Sequence, residues 1–583
     1  MADSATERVK DSRARRDGAG TAPSPDAGGP DAAALDLLLT EAGQSTFTRF
    51  IPGLEAVRLA GGLARRPRAV WRRGSNLIGE LGRVAVGRSD REPERGDRRF
   101  IDTGWSENPL LRRLMQTYLS AGQTITDLID DANLDWADDR KAHFVADNLV
   151  DALAPTNFPL TNPEVMKRII ESGGLHFVKG ARQFARDVRR PPRLPANVDA
   201  DRFTLGQNIA LSPGAVVLRD ERFELIQYAP TTSEVREVPL LIVPPMINKF
   251  YITDLAPGRS LVEYLVGRGQ QVFSISWRNP DENHRDWGLD AYAAAVLDAI
   301  DAIADVTGQE RLHVIGNCAG GMLASTVASH LAQSGEQDRL ASLTLGVCVI
   351  DNERSNVVNA LISRRSAKLA IHASSRKGYL DGRDLASVFL WLRPNDLIWP
   401  YVINNWLLGK EPPAFDILYW NADTTRLPAA LHREFIEIAT ENSLRHPGAV
   451  TVLGSPVDLS QITVDSYLVA GIADHITPWQ NCYRTTQLLG GTKRFVLSTS
   501  GHIAAIVNPP GNKRASYRTA DTLTPPSADD WVSGSTTQEG TWWDDWHAWL
   551  AQRSGELRPA RERLGSRRFK VVGEAPGEYA REA

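Results

Sequence analysis

The sequence predicts an α/β fold: a mostly parallel sheet covered by helices and interrupted by an inserted cap, preceded by a helical N-terminal domain. Three observations predict it. Beyond about residue 205, short apolar runs alternate with helical stretches, the texture of a parallel sheet with crossover helices. Between residues 100 and 200, apolar residues recur at three- and four-residue steps instead. From about 352 to 460 the alternation stops and aromatic residues crowd in.

Taken in order, residues 1–34 are Ala, Gly, Pro, Asp and Arg with almost no large apolar side chain, so they cannot offset their ordering entropy and read as a disordered tail. Residues 35–200 read as the helical domain. Its first part, Leu35 to Val86, has helical apolar spacing mixed with Arg65, Arg66, Arg68, Arg72 and Arg73. Such a helix either lies on an anionic or apolar surface or packs on its own domain with a solvated face. The polar run Ser89 to Arg99 reads as a linker, and Pro191, Pro192 and Pro195 close the helical part.

Residues 201–583 read as the sheet domain. Strand candidates are Leu240–Val243, Val272–Ile275, Leu312–Ile315, Leu343–Ile350, Ser466–Val469 and Phe495–Leu497. Helices are expected at Leu289–Val306, Met322–Ala332 and Trp479–Leu489. The aromatic stretch, with Trp391, Trp399, Trp406 and Trp420, reads as a cap over one end of the sheet.

Composition narrows the function. A net charge of −4 over 583 residues predicts no general attraction to nucleic acid. No window approaches the roughly 18 unbroken apolar residues of a membrane span. Three cysteines, at 318, 348 and 482, form neither a disulfide framework nor a zinc spacing, so no metal site is expected and a reducing cytoplasm fits.

The sharpest motif is HVIGNCAGGML, residues 313–323. An apolar strand runs into Gly316-Asn317-Cys318-Ala319-Gly320 and then into a helix. This is the G-x-S-x-G nucleophile elbow of the α/β-hydrolase fold with cysteine in place of serine. The turn is so tight that flanking side chains would collide, so glycines bracket the nucleophile at a helix N-terminus that favours a thiolate. By itself the pentapeptide fits a buried cysteine in a glycine-rich packing turn better, since short motifs recur without function. The fold, however, needs its partners in the order nucleophile, acid, histidine. Asp474 follows the strand in SYLVAGIADHITPW, and His502 follows the strand in KRFVLSTSGHIAAIVNPP. Cys318, Asp474 and His502 are therefore the candidate catalytic residues: nucleophile, imidazole orienter and base. His475 is the rival base, but adjacent to Asp474 it would point elsewhere. The oxyanion hole should combine the Ala319 amide with one from the turn after the strand in LLIVPPMINKFY, where Met246 and Ile247 lie, with Ile247 the candidate. Cysteine suits acyl groups that arrive as thioesters, because the acyl-enzyme stays as activated as its donor.

The motifs GNCAGG, PPMINKFYITDL, SWRNPD, WLRPNDLIWPY, FDILYWNAD, AGIADHITPW and SGHIAAIVNPPGNKR, with ALAPTNFPLTNPE and WWDDWHAWL outside them, resemble the polyhydroxyalkanoate synthases over roughly residues 96–583. The resemblance implies a single-subunit enzyme that polymerises (3R)-hydroxyacyl-CoA into polyester, releasing CoA, with no cofactor beyond that substrate. It also implies homodimers at the surface of cytoplasmic polyester granules and a cap that joins in dimerisation; the lack of a long apolar run separately predicts no transmembrane segment. Arg393 and Lys410 are candidates for the CoA phosphates. The rival readings are a thioesterase or esterase with the same triad, and a non-catalytic granule-coat protein.

Overall fold

The computed structural model describes residues 54–352, 364–474, 476–520 and 525–582. The expected tail at 1–34, the start of the basic segment and His475 lie outside them.

The N-terminal part is built of helices α1 (Leu54–Ala64), α2 (Pro67–Ala85), α3 (Pro109–Ala132), α4 (Trp136–Ala152), α5 (Pro163–Ser172) and α6 (His176–Arg189). The described part of the basic segment is therefore two helices, because Pro67 lacks an N–H to continue α1 and instead opens α2 at its first turn. Three of its arginines reach α3. Arg73 pairs with Asp131 at 2.7 Å and Asp127 at 2.6 Å, Arg72 with Asp131 at 3.2 Å, and Arg66 donates to the Asp131 carbonyl. Trp71 and Ile78 of α2 face outward instead.

The expected linker is not a free one. Gln116 of α3 donates to the carbonyls of Ser89 and Arg91, and Arg99 reaches Tyr118 Oη at 2.8 Å and Asp151 at 2.9 Å. Phe100 stacks edge-on against the buried Trp105. Arg99, one of the charges that suggested solvent exposure, is used in contacts with distant parts of the chain.

An 11-stranded sheet forms the second part. Its strands are β1 (Gly214–Arg219), β2 (Phe223–Tyr228), β3 (Leu240–Val243), β4 (Val272–Trp277), β5 (Leu312–Asn317), β6 (Leu340–Gly346), β7 (Ser466–Gly471), β8 (Lys493–Ser498), β9 (Ser516–Thr519), β10 (Thr536–Glu539) and β11 (Gly573–Glu574). The spatial order is β10-β9-β8-β7-β6-β5-β3-β4-β2-β1-β11. The run from β8 to β4 is parallel throughout, and both flanks are antiparallel. The central strands are buried on both faces and read as unbroken apolar runs, which is why they were legible. The flanking β9 and β10 are rich in Ser, Thr and charge and partly exposed, so no apolar run announced them. β6 starts three residues earlier than expected and stops at Gly346, where the chain turns at Val347 with a positive φ.

Helices α7 (Leu289–Thr307) and α8 (Ala319–Gln333) flank the parallel core. The segment between β6 and β7 contributes α9 (Arg364–Lys377), α10 (Gly382–Leu392), α11 (Asp416–Ala422) and α12 (Ala429–Glu441), with a short π-helix at Val402–Leu407. This π-helix seats on α6. The Trp406 indole donates to Asp187 at 2.9 Å and meets Phe184 edge-on, and a Cβ at Gly180 would strike the Trp406 carbonyl carbon at 2.9 Å. The glycine in α6 is what lets the two backbones close. Short helices α13 (Trp479–Thr485) and α14 (His502–Ile506) follow β7 and β8, and α15 (Trp542–Ala551) lies near the C-terminus. No helix among the described residues is long and apolar enough to cross a membrane.

Candidate active site

Strand order places the chemistry. β5, β6, β7 and β8 are neighbours in that order, and all point the same way. Cys318 leaves the end of β5, and the loops after β7 and β8 carry Asp474 and His502. Gly471 sits level with Ser498, and a Cβ on it would run into the Ser500 carbonyl oxygen. Its missing side chain lets the acid and histidine loops touch.

Cys318 caps α8 with φ 51° and ψ −123°, a conformation a side-chain-bearing residue holds only under strain. Its amide donates to the Gly346 carbonyl at 2.8 Å, which fixes the turn to β6. A Cβ at Gly316 would lie 2.5 Å from the Gly320 carbonyl oxygen, and one at Gly321 would lie 2.8 Å from Cys348 Sγ. The steric reading of the elbow is thus met atom by atom. Cys318 is only 6% exposed and belongs to an apolar cluster with Phe250, Val347, Trp420 and Ile506.

His502 is buried, and its Nδ1 lies 2.7 Å from Asp474 Oδ2. An ionised carboxylate only accepts, so Nδ1 carries the hydrogen and Nε2 is left for the thiol. Burial alone would lower the proton affinity of His502. The Asp474 charge and hydrogen bond, with a hydrogen bond to Cys318, outweigh it and hold the imidazole well above its ordinary range. Burial would likewise raise Asp474, but the His502 charge and the hydrogen bonds of His502 and Thr477 keep its carboxyl below the usual range. The amides of Ile476 and Thr477 donate to Asp474 Oδ1 at 2.8 and 2.9 Å. The three residues expected from their order along the chain stand together at one rim, with His502 hydrogen-bonded to Asp474 and Cys318 close enough to act on its proton affinity. Chemically, such a group can move a proton off a thiol and hold it as an imidazolium beside a fixed carboxylate.

The two oxyanion candidates stand at the same end of the sheet. Ala319 opens α8, and Ile247 lies buried in the turn after β3. Among the described residues neither amide has an acceptor. A Cβ at Gly320 would sit 2.7 Å from the Pro244 carbonyl carbon, so this turn rests against the start of α8.

Sequence reasoning missed the groups that hold these loops. Lys249 is buried, and its ammonium donates to the carbonyls of Tyr579 at 3.0 Å and Glu582 at 2.6 Å, which ties the turn after β3 to the end of the chain. From the cap, Thr425 Oγ1 donates to the Met246 carbonyl and the Trp420 indole to the Lys249 carbonyl. The indoles of Trp542 and Trp543 donate to the carbonyls of Ala505 and Ile506, pinning the helix that begins at His502. The available signal was a lysine and tryptophans inside otherwise apolar runs. Arg393 and Lys410, the phosphate candidates, each close an ion pair, with Asp396 and with Glu164 respectively. Cys348 and Cys482 are buried, and burial pushes both thiols up. Among the described residues one group of side chains has metal-ligand spacing, Asp130, Asp139 and His143, on α3 and α4.

A strained elbow bearing Cys318, with Asp474 and His502 on the loops after β7 and β8, marks the chain as an α/β-hydrolase-fold protein with a thiol at the nucleophile position. The alpha/beta hydrolase fold family model matches residues 240–509, and the model for the poly-beta-hydroxybutyrate polymerase (PhaC) N-terminus matches residues 96–265. The chain is 45% identical over 504 residues to poly(3-hydroxyalkanoate) polymerase 1 of Ectopseudomonas oleovorans, covering 86% of this chain and 89% of that one. It is 39% identical over 505 residues to the poly(3-hydroxyalkanoate) polymerase subunit PhaC of Cupriavidus necator, covering 85% of each. The chain belongs to the poly(3-hydroxyalkanoate) polymerase family.

Proposed function

We propose that this chain polymerises (3R)-hydroxyacyl-CoA into polyester through an acyl group carried on Cys318. The observation that carries the reading is the buried Cys318–His502–Asp474 group at the rim of the sheet in a chain of this family. Cys318 attacks the thioester carbonyl, and the amides of Ala319 and Ile247 receive the developing oxyanion. The tetrahedral adduct collapses with loss of CoA, whose sulfur takes the proton held by His502. The acyl group is now a thioester on Cys318. A hydroxyl of a second hydroxyacyl group or of the growing chain then attacks it, gives its proton to His502 and releases the Cys318 thiol. Each cycle forms one ester bond and frees one CoA, with no cofactor or metal.

Water as the acceptor would make the same group a thioesterase. Burial of Cys318 among apolar side chains, with cap residues tied to the turn after β3, favours exclusion of water and hence polymer. The chain acts in the cytoplasm as a homodimer at the surface of the polyester granule it builds. The outward-facing Trp71 and Ile78 of α2, and Ile170 and Leu175 near α5 and α6, all more than 70% exposed, support contact with an apolar surface. The test is incubation with (3R)-hydroxybutyryl-CoA and with a longer-chain homologue, following CoA release and insoluble polymer. Free hydroxy acid in place of polymer would make the chain a thioesterase.

A further inference from the structure

Thr477 contacts two members of the catalytic group at once. Its hydroxyl donates to Asp474 Oδ2 at 2.6 Å, and its Oγ1 lies 3.1 Å from His502 Nδ1. Its own amide donates to the other oxygen, Asp474 Oδ1, at 2.9 Å. One residue therefore holds both oxygens of the carboxylate, and it is only 3% exposed. A hydroxyl has a single proton. Once that proton is given to Asp474, a lone pair of Oγ1 faces Nδ1, so the imidazole N–H points at two acceptors.

We propose that Thr477 is a positioning residue for ester formation, holding the Asp474 carboxylate ionised and the His502 ring turned with Nε2 toward Cys318. The inference rests on the reading of Cys318, His502 and Asp474 given above. Its place in the reaction follows from the difficulty of the two proton transfers. Either transfer leaves an imidazolium, but an alcohol is far less acidic than a thiol, so its proton leaves only to an imidazole strengthened by a carboxylate that is fixed and charged. Thr477 therefore matters at elongation and little at the first acylation. The hydrogen bond from its hydroxyl is also among the interactions that keep Asp474 below the usual carboxylate range.

The experiment compares Thr477→Val, which keeps the shape and removes the hydroxyl, with Thr477→Ser, which keeps the hydroxyl and removes the methyl. Single-turnover CoA release and steady-state polymer formation are measured across pH. Thr477→Val should elongate about tenfold more slowly, the effect of losing one hydrogen bond to a buried charge, with the first CoA release within about twofold of the parent. Its acid limb should move to higher pH, because Asp474 takes up a proton more readily without the donor. Thr477→Ser should restore both rate and limb. A Thr477→Val chain with the parent rate and pH profile overturns the proposal. So does equal impairment of both variants, which would assign the effect to packing of the methyl group. Should Thr477→Val not fold, Thr477→Ala against Thr477→Ser is read on the same assays. Cys318→Ala runs alongside: turnover there would overturn the acyl-cysteine reading itself, whatever Thr477 does.

Discussion

Two carboxylate–cation contacts in this chain have the same length and different consequences. Asp474 meets His502 at 2.7 Å in the buried rim of the sheet, and Asp131 meets Arg73 at 2.7 Å on the helical layer. In the rim, solvent is excluded, each oxygen of Asp474 has protein donors, and the two proton affinities are pushed apart. On the layer, Arg73 also reaches Asp127, and water screens the group. Distance alone therefore says little; the surroundings of a pair decide whether its proton affinities are driven apart in a buried site or it merely fastens helices.

The largest effect should come from removing the group the rim pair serves. Cys318→Ala should lower CoA release by on the order of 10⁴-fold or more while the chain stays folded, since alanine fits the elbow. Cys318→Ser should keep a trace, and Cys348→Ala and Cys482→Ala should polymerise nearly as the parent does. The assay is CoA release per folded enzyme.

Breaking the rim pair comes next. Asp474→Asn should still release the first CoA but elongate slowly, whereas His502→Gln should fail at both steps. Single-turnover release beside steady-state polymer separates them. Loss of the first release in Asp474→Asn as complete as in His502→Gln would make Asp474 an ordinary orienter of the imidazole.

Arg99 provides an intermediate case, half-way between rim and surface. It joins Asp97, Asp151 and Tyr118 in a mostly buried knot. Arg99→Ala should cost about 2 kcal/mol, because buried partners lose a charged donor. Denaturant midpoints should fall while CoA release per folded enzyme holds.

The rim pair also has a pH signature. Asp474 is depressed, so its contribution to stability is present above the ordinary carboxylate value and fades as pH falls through its lowered one. His502 is raised, so its contribution is full below the ordinary imidazole value and fades as pH rises through its raised one. The stability gap between the parent and Asp474→Asn should be widest from about pH 4 to 6.5 and narrow on both sides, by denaturant unfolding at each pH. A gap flat across pH would mean that the pair is not charged in the folded chain.

The smallest effect belongs to the surface pair. Arg73→Ala should leave activity unchanged and shift thermal unfolding slightly, with the shift shrinking further in high salt. A salt-independent loss would place Arg73 in a dry contact like that of the rim.

By itself, the sequence determined the elements whose cause is local. Doubly buried strands must be apolar runs, so β3, β4, β5 and β7 were legible, and the elbow was legible because only glycine fits beside a nucleophile in so tight a turn. The order Cys318, Asp474, His502 followed from parallel topology, which places the ends of successive strands along one rim. What tertiary structure alone decided was pairing between residues far apart in the chain. Nothing local says that Lys249 reaches Tyr579 and Glu582, that Arg99 meets Asp151, or that Trp542 and Trp543 hold the carbonyls behind His502. The polar stretch Ser89–Arg99 and the exposed β9 and β10 misled or escaped for the same reason: hydrophobic periodicity records burial of side chains, and these segments are held by hydrogen bonds and charge, whose partners only the folded chain supplies.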